Sequence, residues 1–377
     1  MIFHLIKHAI LLHSFLTPSI PKNKETLKLV SVVFRHGDRT PVKPYELYPN
    51  DPHKDYNFGE TAYSVLTESG KQRAYRLGKF LKNNYKILLD LTHESVIARS
   101  TDVNRTKESL KSVLKALYPE FAIDIYSKPL FKDSLLLPQS CYKFLIDSLK
   151  LSKDKNVIKD TLELKDIMKN LTDLTGKNIT TAMNIHYIYT TLEIEKAFNL
   201  TLPSWTNGLF PDGQIVNGSA LQFKFLNYNE NLKKQTGGML IRKFINDMLL
   251  IKAGLTNKNL FLYSGHDITV ASVLYALGVY FPHVPKYSSA VILELHEIAG
   301  DYFVKVVYYL GVPEKTIVLT IPNCEKLCPL DKFINLMKNI LPSKVSFLCP
   351  KVKTSGDDAI YNERLKNIIK LLKILFK

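Results

Sequence analysis

Val32-Val33-Phe34-Arg35-His36-Gly37-Asp38-Arg39-Thr40-Pro41 decides how the rest of the chain is read. Val32, Val33 and Phe34 form a short apolar run of β-branched and aromatic residues, the composition of a buried strand. Gly37 and Pro41 then force a turn. Arg35, His36 and Arg39 therefore fall at the carboxyl end of a strand, where open α/β sheets place their ligands. Two guanidinium forks suit phosphate oxygens. The histidine between them is a candidate nucleophile, kept unprotonated by two fixed cations. An exposed basic turn is the competing reading, and the buried strand before it argues against that.

The chain has 377 residues, 46% of them apolar, which suits one large domain or two modest ones and excludes global disorder. The net charge is +16, but the basic residues are scattered and no basic run is interleaved with aromatics. That pattern excludes a nucleic-acid surface and describes a solvated face favouring anionic substrates in general. Residues 1–20 read as a secretory signal peptide, with a buried N-terminal helix as the alternative. No later stretch is long and apolar enough to span a bilayer. Residues 351–377 form a basic amphipathic tail, with Lys366, Lys370, Lys373 and Lys377 along one helical face. Docking on its own domain, or a partly ordered tail, is preferred there over membrane contact.

Five Asn-x-Ser/Thr sequons, at Asn104, Asn170, Asn178, Asn199 and Asn217, fit an exported chain. Of the four cysteines, Cys324 and Cys328 sit in a loop tight enough for a local disulfide, while Cys141 and Cys349 are distant. Three connectivities remain open on spacing alone. No second close-spaced Cys/His pair accompanies the first, so a zinc site is not expected.

In chain order, a strand is expected over 27–34 and a loop rich in Pro, Tyr and Asp from 42 to about 61. A helix capped by Thr67 should bury Ala74, Leu77, Leu81 and Tyr85. A second strand over 94–98 runs into Ala98-Arg99-Ser100-Thr101-Asp102-Val103-Asn104-Arg105-Thr106. Thr101 or Asp102 should cap a helix with Val103, Leu110, Val113, Leu114 and Leu117 in register, stopping near Pro119. Arg99, at a strand end beside a helix amino terminus, is a second candidate anion ligand, with a carboxylate pairing as the alternative. Helical patterns over 162–174 and 181–198 mark a mainly helical insertion. A helix from 237, a strand over 260–263, the turn Ser264-Gly265-His266-Asp267 and a helix ending at Gly278 restore the α/β alternation. A hairpin over 291–309 should turn at Ala299-Gly300-Asp301.

Arg35-His36-Gly37-Asp38-Arg39-Thr40-Pro41, Arg99 to Thr106, and Tyr263-Ser264-Gly265-His266-Asp267 together resemble the motifs of the histidine acid phosphatase family, in its animal prostatic, lysosomal and venom type. Leu200-Thr201-Leu202-Pro203-Ser204-Trp205 and the Cys324/Cys328 loop are also similar to that branch. The resemblance implies a mixed, largely parallel sheet flanked by helices on both faces, phosphoglycerate-mutase-like, with an inserted smaller α-helical domain. The α/β catalytic domain would comprise residues 21–140 and 248–350, and the insertion 141–247. It implies His36 as nucleophile, Asp267 as proton donor, and Arg35, Arg39, Arg99 and His266 as phosphate ligands, with no metal and no cofactor. It favours the pairings Cys141–Cys349 and Cys324–Cys328. A third disulfide usual in this branch is absent, its two positions being Ile194 and Ala290 here.

The activity so implied is hydrolysis of small-molecule or protein phosphate monoesters by a secreted or lysosomal acid phosphatase, through a phosphohistidine. The family is often homodimeric. Two alternatives stay open: a specialised phytase or lysophosphatidate phosphatase, and a silent secreted binding or allergen protein. Against the last stands the complete set of Arg35, His36, Arg39, Arg99, His266 and Asp267.

Overall fold

The computed structural model describes residues 26–58, 63–89, 93–138 and 141–343. The signal peptide expected over 1–20, Cys349 and the basic tail lie outside the described residues.

The opening stretch is the end of β1 (Leu27–Arg35), a strand buried along nearly its whole length. Burial on both faces follows from its neighbours: β1 pairs parallel with β4 (Leu260–Gly265) on one side and antiparallel with β5 (Ala290–Ile298) on the other. Side chains alternate, so Leu29 and Val33 join one core while Val30, Val32 and Phe34 join the opposite one. β2 (Val96–Ser100) extends the parallel part beyond β4 and is itself flanked by β3 (Ile125–Tyr126). Beyond β5 the sheet is antiparallel, through β6 (Asp301–Tyr309) to β7 (Thr316–Leu319), with β8 (Leu327–Pro329) also on β6. The β5–β6 hairpin turns where expected: Ala299 and Gly300 have φ of 51° and 89°, the left-handed pair that matches strand twist.

Helices cover both faces. α1 (Glu68–Leu89) and α2 (Asn104–Leu117) pack on Val30, Val32 and Phe34. The other face carries the later helices α9 (Gly237–Lys252), α10 (Asp267–Ala276) and α11 (Leu330–Met337). Thr67 caps α1 as expected, its Oγ1 accepting the Gly70 N–H at 3.0 Å. Ala74, Leu77, Leu81 and Tyr85 are all buried. β2 starts two residues later than expected, and α2 is preceded by Val103 with no side-chain cap. The Thr101 hydroxyl is spent elsewhere, on Thr106 Oγ1 at 2.7 Å and the His266 ring at 3.2 Å.

Between β3 and β4 the chain is helical: α3 (Tyr142–Lys150), α4 (Lys155–Leu162), α5 (Lys165–Thr175), α6 (Ala182–Ala197), α7 (Gln214–Leu226) and α8 (Glu230–Gln235) precede α9. α5, α6 and α7 form their own core with Leu171, Ile185, Ile188 and Phe223, which closes onto Ile268 and Ala271 of α10. This helical layer thus sits over the end of the sheet where β1 and β4 stop. The boundary drawn at 247 falls inside α9. Cys324 and Cys328 are joined, with Cα atoms 5.6 Å apart, and Cys141 is disulfide-bonded.

Candidate active site

Strand register brings the two histidine turns together. Arg35 on β1 is level with Gly265 on β4, and the His36 N–H donates to the Gly265 carbonyl at 3.0 Å. His36 and His266 therefore leave adjacent parallel strands side by side, with ring centroids 5.5 Å apart. A close backbone approach fixes the first turn. A Cβ on Gly37 would meet the Gly70 carbonyl oxygen at 2.1 Å, so only glycine lets the amino end of α1 press against this loop. Asp38 ties the same loop to α1 through Arg73, Nε to Oδ2 2.6 Å.

His36 has one defined tautomer. Its Nδ1 lies 2.8 Å from the Gly37 carbonyl oxygen, which only accepts, so Nδ1 carries the hydrogen. Nε2 keeps its lone pair, facing the Arg105 Nε–H at 3.2 Å. Burial, and then the cations around it with Arg105 foremost, hold this imidazole well below its ordinary value. The result is an unprotonated nitrogen in a cationic pocket.

The guanidiniums differ in how they are held. Arg35 is fully buried, donates to the Pro285 carbonyl at 2.7 Å, and pairs with Asp267 at 3.2 Å under the Tyr287 ring. Arg39 forms a two-pronged pair with Glu46, both contacts 2.6 Å; burial opposes its charge, but Glu46 more than compensates. Arg105 makes no ion pair among the described residues. Its partners are His36 and Ser64 Oγ at 2.7 Å, and burial with the neighbouring Arg39 pushes it down to about 9. A buried guanidinium without a carboxylate is an anion site in waiting.

Asp267 opens α10 beside this group. One oxygen accepts the Ile268 N–H at 2.7 Å; the other faces Arg35 at 3.2 Å and His186 Nε2 at 3.8 Å. Burial alone would raise the carboxyl, but Arg35, His186 and His266 outweigh it and hold it at about 2.

Five of the six expected site residues thus converge: Arg35, His36, Arg39, His266 and Asp267. Arg99 does not. Two along from Ile97, it shares that residue's sheet face, where its guanidinium pairs with the fully buried Asp133 and lies over Tyr126. The arginine of that stretch that reaches the pocket is Arg105, at the start of α2. Its signal was present in the sequence: Arg105, Ser109 and Val113 repeat at helical spacing on the buried face, so a charge stands in an apolar register. Glu46 and His186, also lining the pocket, were missed because the long loop and the insertion carry no motif.

Glu195, near the end of α6, meets Asp51 from the loop after Pro41, and both carboxyls are buried. Neither Glu195 oxygen finds a donor, so the two acids are satisfied only with a proton between them. Burial raises Asp51, and burial plus Asp51 raises Glu195. A carboxyl raised on folding stabilises below its unfolded value and loses that contribution as pH climbs through the folded one. The melting temperature of wild type should therefore fall more steeply between pH 5 and 8 than that of Glu195→Gln, by at least ~2 °C. Parallel curves would refute the shared proton.

A parallel sheet ending in an unprotonated imidazole, three guanidiniums and a carboxyl is a site class suited to phosphoryl groups. The profile of the histidine phosphatase superfamily (branch 2) matches residues 26–309. The chain belongs to that family. It is 41% identical over 341 residues to the venom acid phosphatase Acph-1 of Apis mellifera, covering 86% of this chain and 88% of the relative. Human prostatic acid phosphatase is 31% identical, with 86% and 88% covered. Among solved structures, a Hafnia alvei phytase in complex with tartrate superposes with a TM-score of 0.66 at 16% identity, covering 87% of this chain and 99% of that one, which shows a shared fold.

Proposed function

We propose that the protein is an acid phosphatase that hydrolyses phosphate monoesters through a phosphohistidine on His36. The observation that carries this is Arg105, a buried cation with no carboxylate partner among the described residues, set 3.2 Å from the unprotonated nitrogen of His36. Nε2 attacks phosphorus as the P–O bond to the alcohol breaks. Arg35, Arg39, Arg105 and His266 hold the phosphoryl oxygens, and Asp267 gives its proton to the leaving oxygen. Water then attacks the P–N bond, Asp267 takes its proton, and phosphate leaves with His36 restored. Asp267 is anionic at rest because Arg35 holds it. A phosphate that engages Arg35 weakens that hold and adds a neighbouring negative charge, and both raise its affinity for a proton.

Apart from the site residues and His186, the pocket is lined by Val42, Met183, Tyr187, Gln222, Phe223, Leu226 and Ile268, so the surface left for a leaving group is mostly apolar. This supports aryl and alkyl monophosphates as substrates over polyphosphorylated inositols, whose remaining phosphates would face an apolar wall. In a panel at acid pH, kcat/KM for an aryl or long-chain alkyl monophosphate should exceed that for inositol hexakisphosphate by ~10-fold or more. The reverse order would sink this reading of the wall.

The relatives' names, venom, prostatic and lysosomal, support a secretory or lysosomal route. So does the disulfide. All five sequon asparagines are exposed, consistent with glycosylation. Asn104 directly precedes Arg105 yet points outward, so a glycan there would leave the pocket clear.

A further inference from the structure

His186 on α6 is a buried imidazole in the pocket that the steps above do not use. It stands edge-on to Phe223, centroids 5.3 Å apart, and its Nδ1 has no hydrogen-bond partner. Its Nε2 faces Asp267 Oδ2 at 3.8 Å, the same oxygen that Arg35 holds at 3.2 Å. The carboxyl that must carry a proton thus lies between a permanent cation and a titratable one. The other charges facing this imidazole are Arg35 from β1, Glu46 from the loop after β1, and Glu193 from its own helix. Arg35 disfavours the imidazolium and the carboxylates favour it. Glu193 is itself shared, lying 3.5 Å from Arg35 and 3.2 Å from Lys286, so Asp267 is the carboxylate whose charge His186 most directly answers.

We propose that His186 is a proton reservoir for Asp267, passing its Nε2 proton to Oδ2 when substrate engages Arg35 and taking it back after hydrolysis. The proposal rests on Asp267 being the donor. The relay balances. Imidazolium and carboxylate become neutral imidazole and carboxylic acid, and the acid then protonates the leaving oxygen. In the second half Asp267 takes the proton of the attacking water and returns it to His186. The 3.8 Å gap closes by a small shift of either side chain or is bridged by one water. Burial lowers His186 below its ordinary value, so the reservoir fills only in acid. Activity should fall as pH rises through that titration, which ties the acid range of the enzyme to one side chain of the insertion.

The test compares wild type, His186→Gln and Asp267→Asn on a simple alkyl phosphate and on p-nitrophenyl phosphate, whose leaving group needs little protonation. His186→Gln should lose ~10-fold or more in kcat on the alkyl ester and much less on the aryl ester, within the range of acid–base effects. Its alkaline limb should move at least about one pH unit lower. The inhibition constant of inorganic phosphate should hold within a few-fold. A His186→Gln profile that superimposes on wild type, while Asp267→Asn shows the leaving-group dependence, overturns the relay and leaves the donor intact. If Asp267→Asn shows no such dependence either, the donor assignment is what fails. Should His186→Gln not fold, the His186 ring signal of ligand-free wild type serves, followed by NMR across the acid and neutral range. An imidazole that stays neutral throughout the acid active range refutes the proposal, and one that titrates with the alkaline limb supports it.

Discussion

Replacing His36 by alanine is expected to lower kcat on a simple aryl phosphate by on the order of 10⁴-fold or more, the scale of losing a nucleophile. Fold should survive, because the ring's own polar contacts are one bond to the Gly37 carbonyl and one from Arg105. Circular dichroism melting checks that directly. The companion measurement is covalent. Wild type mixed briefly with labelled substrate and quenched in alkali, where a P–N bond survives, should retain label on protein; His36→Ala should not. A variant that keeps near-normal turnover would remove His36 from the chemistry, whatever the geometry around it.

The second large effect separates two arginines six positions apart. Arg105→Ala should cost ~10²–10³-fold in kcat/KM, the loss typical of one donor aimed at developing charge. It should cost little stability, since a buried cation without a carboxylate is a burden on the fold. Arg99→Ala should do the opposite. It strands Asp133, fully buried, without its cation, and breaking such a pair typically costs about 3–5 kcal/mol. Its folded fraction should turn over within a few-fold of wild type. The contrast is read by kinetics and denaturant titration on the same two preparations. Loss of activity on removing Arg99, with Arg105 dispensable, would reverse the assignment.

Why the sequence pointed to Arg99, which the structure places outside the pocket, is physical. Arg99 stands at the end of a strand beside a helix start, which is where anions are held, and that rule is right about the place. It is silent about which sheet face the side chain takes. The face is set by alternation along β2, which puts Arg99 on the same side as Ile97, and a one-residue change of phase, which no motif announces, is all that separates the two faces. By contrast β1, β4 and the hairpin were legible because each is a dense apolar run bounded by strong turn residues. The convergence of His36 with His266 was legible only through motif resemblance, since register between distant strands leaves no local trace. Glu46 and His186 were beyond reach for a related reason: the loop and the helix that present them are positioned by tertiary packing, and neither residue breaks its local pattern.

The two-pronged Arg39–Glu46 pair and the Arg35–Asp267 contact bear on how the cycle ends. Each of these guanidiniums has an internal carboxylate to return to, so inorganic phosphate gains only the difference between itself and a partner already in place. Only Arg105 offers its charge uncontested. A pocket of three unpaired arginines would grip its product and stall; here two of the three cations are on loan, and the protein's own acids are the competitors that clear the site for the next ester.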